Sequence, residues 1–126
     1  QLARASVQDL RSLGLGFRDA RVYETTKMIL NKEVDLDKMY EEDTSKARES
    51  LLTLSGVGPK VADCILLFSK LKRFDVFPID VWVRRVMNEL YIKNEDETIE
   101  NLAKEKYGNL EGIAQQYLFY WKRETA

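Results

Sequence analysis

Two side chains of this sequence are best placed to do chemistry. One is Lys60, directly behind Gly56-Val57-Gly58-Pro59; the other is Asp80, inside Phe77-Pro78-Ile79-Asp80. Proline suits the first position of a helix, where its missing N–H costs nothing. Lys60 therefore falls in a first turn, at the positive end of a helix dipole, where an ammonium is disfavoured. Either it points into solvent, or the amine sits there to act as a nucleophile. Only the free amine attacks, and desolvation and a same-sign helix terminus both favour the neutral form. Asp80 also has two readings, and both can hold. It can cap the helix starting at Val81, and a carboxylate held that way stays ionised beside a cation developing nearby.

Holding such groups in place takes helices, and the periodicity is helical nearly throughout. A short first segment carrying Leu10 is stopped by Gly14 and Gly16. Arg18 to Leu30 reads as an amphipathic helix with Val22, Tyr23, Thr26, Ile29 and Leu30 on one face. Asp35 is expected to cap a short helix through Tyr40, and Thr44 or Ser45 one through Leu54. Gly56-Val57-Gly58 breaks that helix, and Pro59 opens the next, to about Ser69. After an extended connection at Pro78, Val81, Val83, Val86, Met87 and Leu90 suit another. The polar stretch 92–98 is expected to be a loop. A helix across Ile99 and Leu102 then ends at Gly108, and a last one covers Gly112 to Lys122. The fold class expected is all-α: a single helical domain portion over 1–126, with a helix-hairpin-helix at 51–69 and an aspartate-bearing segment at 76–85.

Composition narrows the chemistry. The 126 residues are 44% hydrophobic, enough for a core. Cys64 is the only cysteine and there is no histidine. That excludes an internal disulfide, a multi-cysteine zinc or iron–sulfur site, and the commonest general base. No apolar stretch is long enough to cross a bilayer and no cleavable signal is visible, so a soluble intracellular protein is expected. The chain opens on Gln1, which suggests an excised or processed piece. Net charge is −1, but residues 51–93 carry seven basic against four acidic side chains, while 31–50 and 94–126 each carry four against seven. The glycine-rich turn thus lies in the most basic block, and a local basic surface can engage phosphate in an acidic chain.

Helix, Gly-x-Gly turn and helix can present free backbone N–H groups at a helix N-terminus, a ready phosphate site that reads backbone rather than sequence. A lone Gly-Val-Gly is weak evidence. The order "LSGVGPKVADC" then "VFPIDVW" is far more specific, and it resembles the helix-hairpin-helix, Gly/Pro-rich, catalytic-aspartate superfamily of DNA glycosylases, in particular the 8-oxoguanine DNA glycosylases. "LRSLGLGFRDARV" and "AQQYLF" are similar to that family in the expected order.

The resemblance implies a base-excision repair enzyme, a glycosylase with attached β-elimination lyase activity, acting as a monomer on double-stranded DNA containing 8-oxoguanine. It implies Lys60 as the nucleophile at the deoxyribose carbon, and Asp80 as the group that stabilises the cationic sugar and aligns the lysine. Cys64, Gln115 and Phe119 would bind the extruded base. Gly56, Val57, Gly58, Lys60 and Trp82 would meet DNA phosphate. The backbone carbonyls of Leu52, Leu54 and Val57 would hold a monovalent cation, sodium or potassium, and no other cofactor is implied. Its setting would be the bacterial cytoplasm or a eukaryotic nucleus. Trp82 stands where the best-known animal members have a histidine, and Lys122 where an acidic pocket residue is expected. The chain looks like the catalytic helical half of a longer glycosylase, without its N-terminal β-rich domain or the segment that wedges into the duplex. Two other readings stay open: a helix-hairpin-helix DNA-binding module or inactive fragment in which Lys60 only touches phosphate, and a protein-interaction domain anchored by Trp82 and Trp121.

Overall fold

Side-chain caps decide where most of these helices begin. The computed structural model describes residues 1–92 and 97–125, and every regular element among them is helical. The elements are α1 (Val7–Ser12), α2 (Arg18–Leu30), α3 (Thr44–Leu52), α4 (Pro59–Phe68), α5 (Val81–Leu90), α6 (Ile99–Tyr107) and α7 (Glu111–Thr125), with short 3₁₀ turns at Leu2–Arg4, Lys38–Tyr40 and Gly108–Leu110. Residues 93–96 of the expected polar loop lie outside the described residues. Among the described residues no helix is long and apolar enough to cross a membrane. By its internal contacts the chain divides into two compact units, Gln1–Gly58 and Pro59–Ala126.

In the first unit a reciprocal Ser6–Asp9 capping box starts α1. Gly14 and Gly16, at φ +79° and +59°, turn the chain into α2. Across that turn Arg11 Nε lies 2.7 Å from a buried Asp19 carboxylate. The cap of α3 is Asp43, which accepts the Lys46 N–H at 2.8 Å; Thr44 and Ser45, expected as caps, are the first helical residues instead. A carboxylate with extended backbone one residue upstream outcompetes a hydroxyl already inside the turn. Asp35 does accept N–H groups from Asp37 and Lys38, at 3.1 and 3.3 Å, but they open only one 3₁₀ turn. Leu30, expected on the buried face of α2, is exposed at the helix end.

The second unit is built around Phe77, Val83, Val86, Met87, Ile99 and Ala103. Val83, Val86 and Met87 form the inward stripe of α5, whereas Val81 and Leu90, expected to join it, are exposed. Thr98 caps α6 through the Asn101 N–H at 3.2 Å, and Gly108, at φ +55°, ends it. Between α4 and α5 the chain runs without helix. Val76, Phe77 and Pro78 of this stretch are buried, so its backbone polar groups need partners other than water. The N–H of Gly112, in the first turn of α7, supplies one by donating to the Phe74 carbonyl at 2.8 Å.

Candidate active site

The helix-hairpin-helix stretch straddles the two units: its turn closes the first and its lysine opens the second. In the turn, Gly56 has φ +79°, and a Cβ there would lie 2.7 Å from Arg21 Cδ. Only glycine fits. The turn is tied to α2 by Thr25 Oγ1, which donates to the Ser55 carbonyl at 2.8 Å, and by Ser55 Oγ, which donates to Glu24 at 2.6 Å. Gly58 differs: it is exposed, and a Cβ there would meet nothing within 4 Å. A side chain there would meet only what approaches from outside. Of the carbonyls expected around a cation, that of Leu54 accepts the Val57 N–H at 3.2 Å, which leaves one lone pair for a metal. Among the described residues no three His, Cys, Asp or Glu side chains stand together, so a cation here would depend on carbonyls.

In the second unit α4 sets Lys60 and Cys64 one turn apart. Asp80 caps α5, its Oδ1 accepting the Val83 N–H at 2.8 Å. Burial pushes the Cys64 thiol up from its ordinary 9.0; the Lys60 charge pulls it down, and Asp63 and Asp80 push it further up. Lys60 and Asp80 therefore act on one thiol and share one electrostatic neighbourhood. Lys60 itself is exposed. The described residues do not cover it as a nucleophilic lysine would require.

On α7, Gln115 is 4% exposed, and its Nε2 donates to the Pro78 carbonyl at 2.9 Å. Its oxygen accepts from Gln116. Phe119, one turn on, is partly buried against the core cluster, with the Arg123 guanidinium 5.4 Å from its ring centre. Trp82 and Lys122, the two departures from the family pattern, meet at one surface groove of ≈ 590 Å³, lined also by Arg85, Asn88 and Glu89. The Arg85 guanidinium stacks 5.2 Å from the Trp82 ring, and Lys122 Nζ lies 2.6 Å from a Glu89 carboxylate oxygen.

Two features escape the sequence reading. Phe17 is 73% exposed between Gly16 and Arg18, with the Arg18 and Arg21 guanidinia 5.6 and 5.7 Å from its ring. A phenylalanine between glycine and arginine at a helix start was the available signal. Gly112 is the other. A Cβ there would lie 2.5 Å from Leu67 Cδ1 and 3.0 Å from the Val76 carbonyl oxygen; nothing local in the sequence marks it.

These helices, with their glycine turn and capping aspartate, have the all-helical fold of the helix-hairpin-helix DNA glycosylases. The chain is homologous to the N-glycosylase/DNA lyases and covers a C-terminal portion of them. It is 43% identical over 122 residues to the "Probable N-glycosylase/DNA lyase" of Methanothermobacter thermautotrophicus, matching 95% of this chain and 38% of that protein. Among solved structures, MBOgg1 in complex with a low-affinity DNA ligand aligns at TM-score 0.90 and 41% identity, over 98% of this chain and 43% of that one. The Clostridium acetobutylicum 8-oxoguanine glycosylase/lyase, in complex with double-stranded DNA containing cytosine opposite 8-oxoG, aligns at TM-score 0.87 and 38% identity, again over 98% and 43%. The chain thus spans under half the length of these relatives. No protein-family model matches it.

Proposed function

We propose that this chain carries the catalytic helices of a bifunctional DNA glycosylase/AP lyase that removes 8-oxoguanine. What supports the reading is that α4 and the cap of α5 bring Lys60, Cys64 and Asp80 into one neighbourhood, in a chain homologous to N-glycosylase/DNA lyases. In this reading the neutral Lys60 amine attacks the deoxyribose C1′. The C1′–N bond breaks, its electron pair leaves with the base, and the base takes up a proton. The Asp80 carboxylate, held in place by the Val83 N–H, balances positive charge on the sugar. Ring opening gives an imine between Lys60 and C1′, and loss of a proton from C2′ expels the 3′ phosphate.

Because Lys60 is exposed here, bound DNA would have to take it out of water, by covering the first turn of α4. Cys64, a thiol rather than a thiolate at neutral pH, with Gln115 and Phe119, would line the base pocket. The N–H groups of the Gly56–Gly58 turn and the Trp82 groove would take phosphates, and the Leu52, Leu54 and Val57 carbonyls a monovalent cation. Phe17, with Arg18 and Arg21, offers the duplex an exposed ring among cations. Work on DNA would place the protein in a bacterial cytoplasm or a nucleus.

The test uses a duplex with one 8-oxoguanine opposite cytosine, on a denaturing gel without alkali. The reading expects a nick 3′ to the lesion; intact strands alongside tight lesion binding would leave a binding module.

A further inference from the structure

The residues before Asp80 belong to no helix, and no strand lies beside them among the described residues, yet they are among the best buried of the second unit. Val76 and Phe77 are 6% and 5% exposed, and Pro78 is fully buried. Their carbonyls are held from α7 at two places. The Gly112 N–H reaches Phe74 at 2.8 Å, and Gln115 Nε2, one turn later, reaches Pro78 at 2.9 Å. The second bond lies two residues before Asp80. On the far side, Asp80 is fixed by the Val83 N–H on its carboxylate, and its carbonyl takes the Arg84 N–H at 3.0 Å. The catalytic carboxylate thus hangs between a helix it caps and a carbonyl that Gln115 holds.

We infer that Gln115 is a positioning residue for Asp80: its amide, donating to the Pro78 carbonyl, sets where α5 begins and so where the carboxylate stands. The inference rests on the reading of Lys60 and Asp80 given above and adds a duty to Gln115 that involves no nucleobase. A glutamine that only reads the base has no part in a reaction at a site without one. A glutamine that holds Asp80 does.

The experiment compares the 126-residue chain with Gln115→Met, which keeps the length of the side chain and removes the donor. Borohydride trapping under single-turnover conditions uses DNA with a natural abasic site, with Lys60→Gln as control. Hydrogen exchange is followed at the Val83 amide, with Ala103 in α6 reporting general unfolding. Positioning predicts that Gln115→Met slows trapping at saturating DNA, on the order of 10²-fold for a misplaced carboxylate. The DNA concentration for half-maximal rate stays within about twofold. The Val83 amide loses protection while Ala103 keeps its own. If Val83 keeps its protection, or the variant traps abasic DNA within about twofold of the parent, the inference is wrong and Gln115 serves the base alone. If the parent chain traps nothing, these 126 residues lack lyase activity on their own, and the Val83 amide alone decides the role of Gln115.

Discussion

Lys60, Cys64 and Asp80 are linked by charge, and that link can be measured without DNA. Lys60 lowers and Asp80 raises the pKa of the Cys64 thiol. Lys60→Gln should therefore slow alkylation of Cys64 by iodoacetamide near neutral pH, and Asp80→Asn should speed it, by the few-fold that one neighbouring charge allows. No change in either variant would place the three groups apart. Asp80→Asn serves a second purpose, since an amide caps a helix about as well as a carboxylate. Base excision should fall on the order of 10²–10³-fold, while the melting temperature moves little. Equal loss of both would reduce Asp80 to a cap. At the start of α7, burial pushes the Glu111 carboxyl above its ordinary 4.5, against Lys104 and with Asp75 and Asp63 adding like charge. A carboxyl raised in the folded state favours folding only while protonated, so this contribution is present below the ordinary value and lost as pH rises through the raised one. Glu111→Gln should accordingly stabilise the protein at neutral pH, with the gain vanishing below about pH 4.5 in denaturant titrations.

At the scale of elements, local signals gave what local physics decides. The bounds of α2, the Pro59 start of α4 and the Asp80 cap follow from periodicity, a fixed φ and a side chain next to free N–H groups. What the sequence hid is tertiary. Leu30 and Val81 have the right period but sit exposed at helix ends. Gln115 finds its partner thirty-seven residues away, a pairing no local pattern encodes. Gly112 is glycine because α7 approaches Leu67 and the Val76 carbonyl too closely for a methyl group. Gly112→Ala should cost about 1–3 kcal/mol, the usual toll of overpacking, and weaken the hold of α7 on the segment before Asp80. The hairpin glycines should part company as well. Gly56→Ala meets both a left-handed φ and Arg21, so it should lower thermal stability. Gly58→Val should leave the fold intact and weaken binding to undamaged duplex, since only an outside partner needs that space. A Gly58→Val protein that binds as well as the parent would remove the turn from the interface.

For the molecule as a whole, charge is laid out in blocks: a basic centre flanked by acidic segments, with a net of −1. Such a surface grips few phosphates. A plot of log affinity against log salt should have a shallow slope, roughly −3 to −5 at about −0.9 per phosphate neutralised, and a slope near zero would exclude a phosphate interface. The family was legible because its signature lies in one ordered run of residues, Leu54 to Trp82. The proposed site was less so, since Lys60, Asp80 and Gln115 lie far apart in the sequence, and the chain spans only 38% of its Methanothermobacter relative. Whether Lys60 is the nucleophile of a glycosylase/lyase shows in which residue keeps the trapped sugar. The protein is trapped with borohydride on 8-oxoguanine duplex, digested, and the modified peptide located by mass spectrometry. A nucleophilic Lys60 leaves a deoxyribose-bearing adduct on Lys60, absent in Lys60→Gln. An adduct on another lysine, or equal trapping by Lys60→Gln, would contradict it.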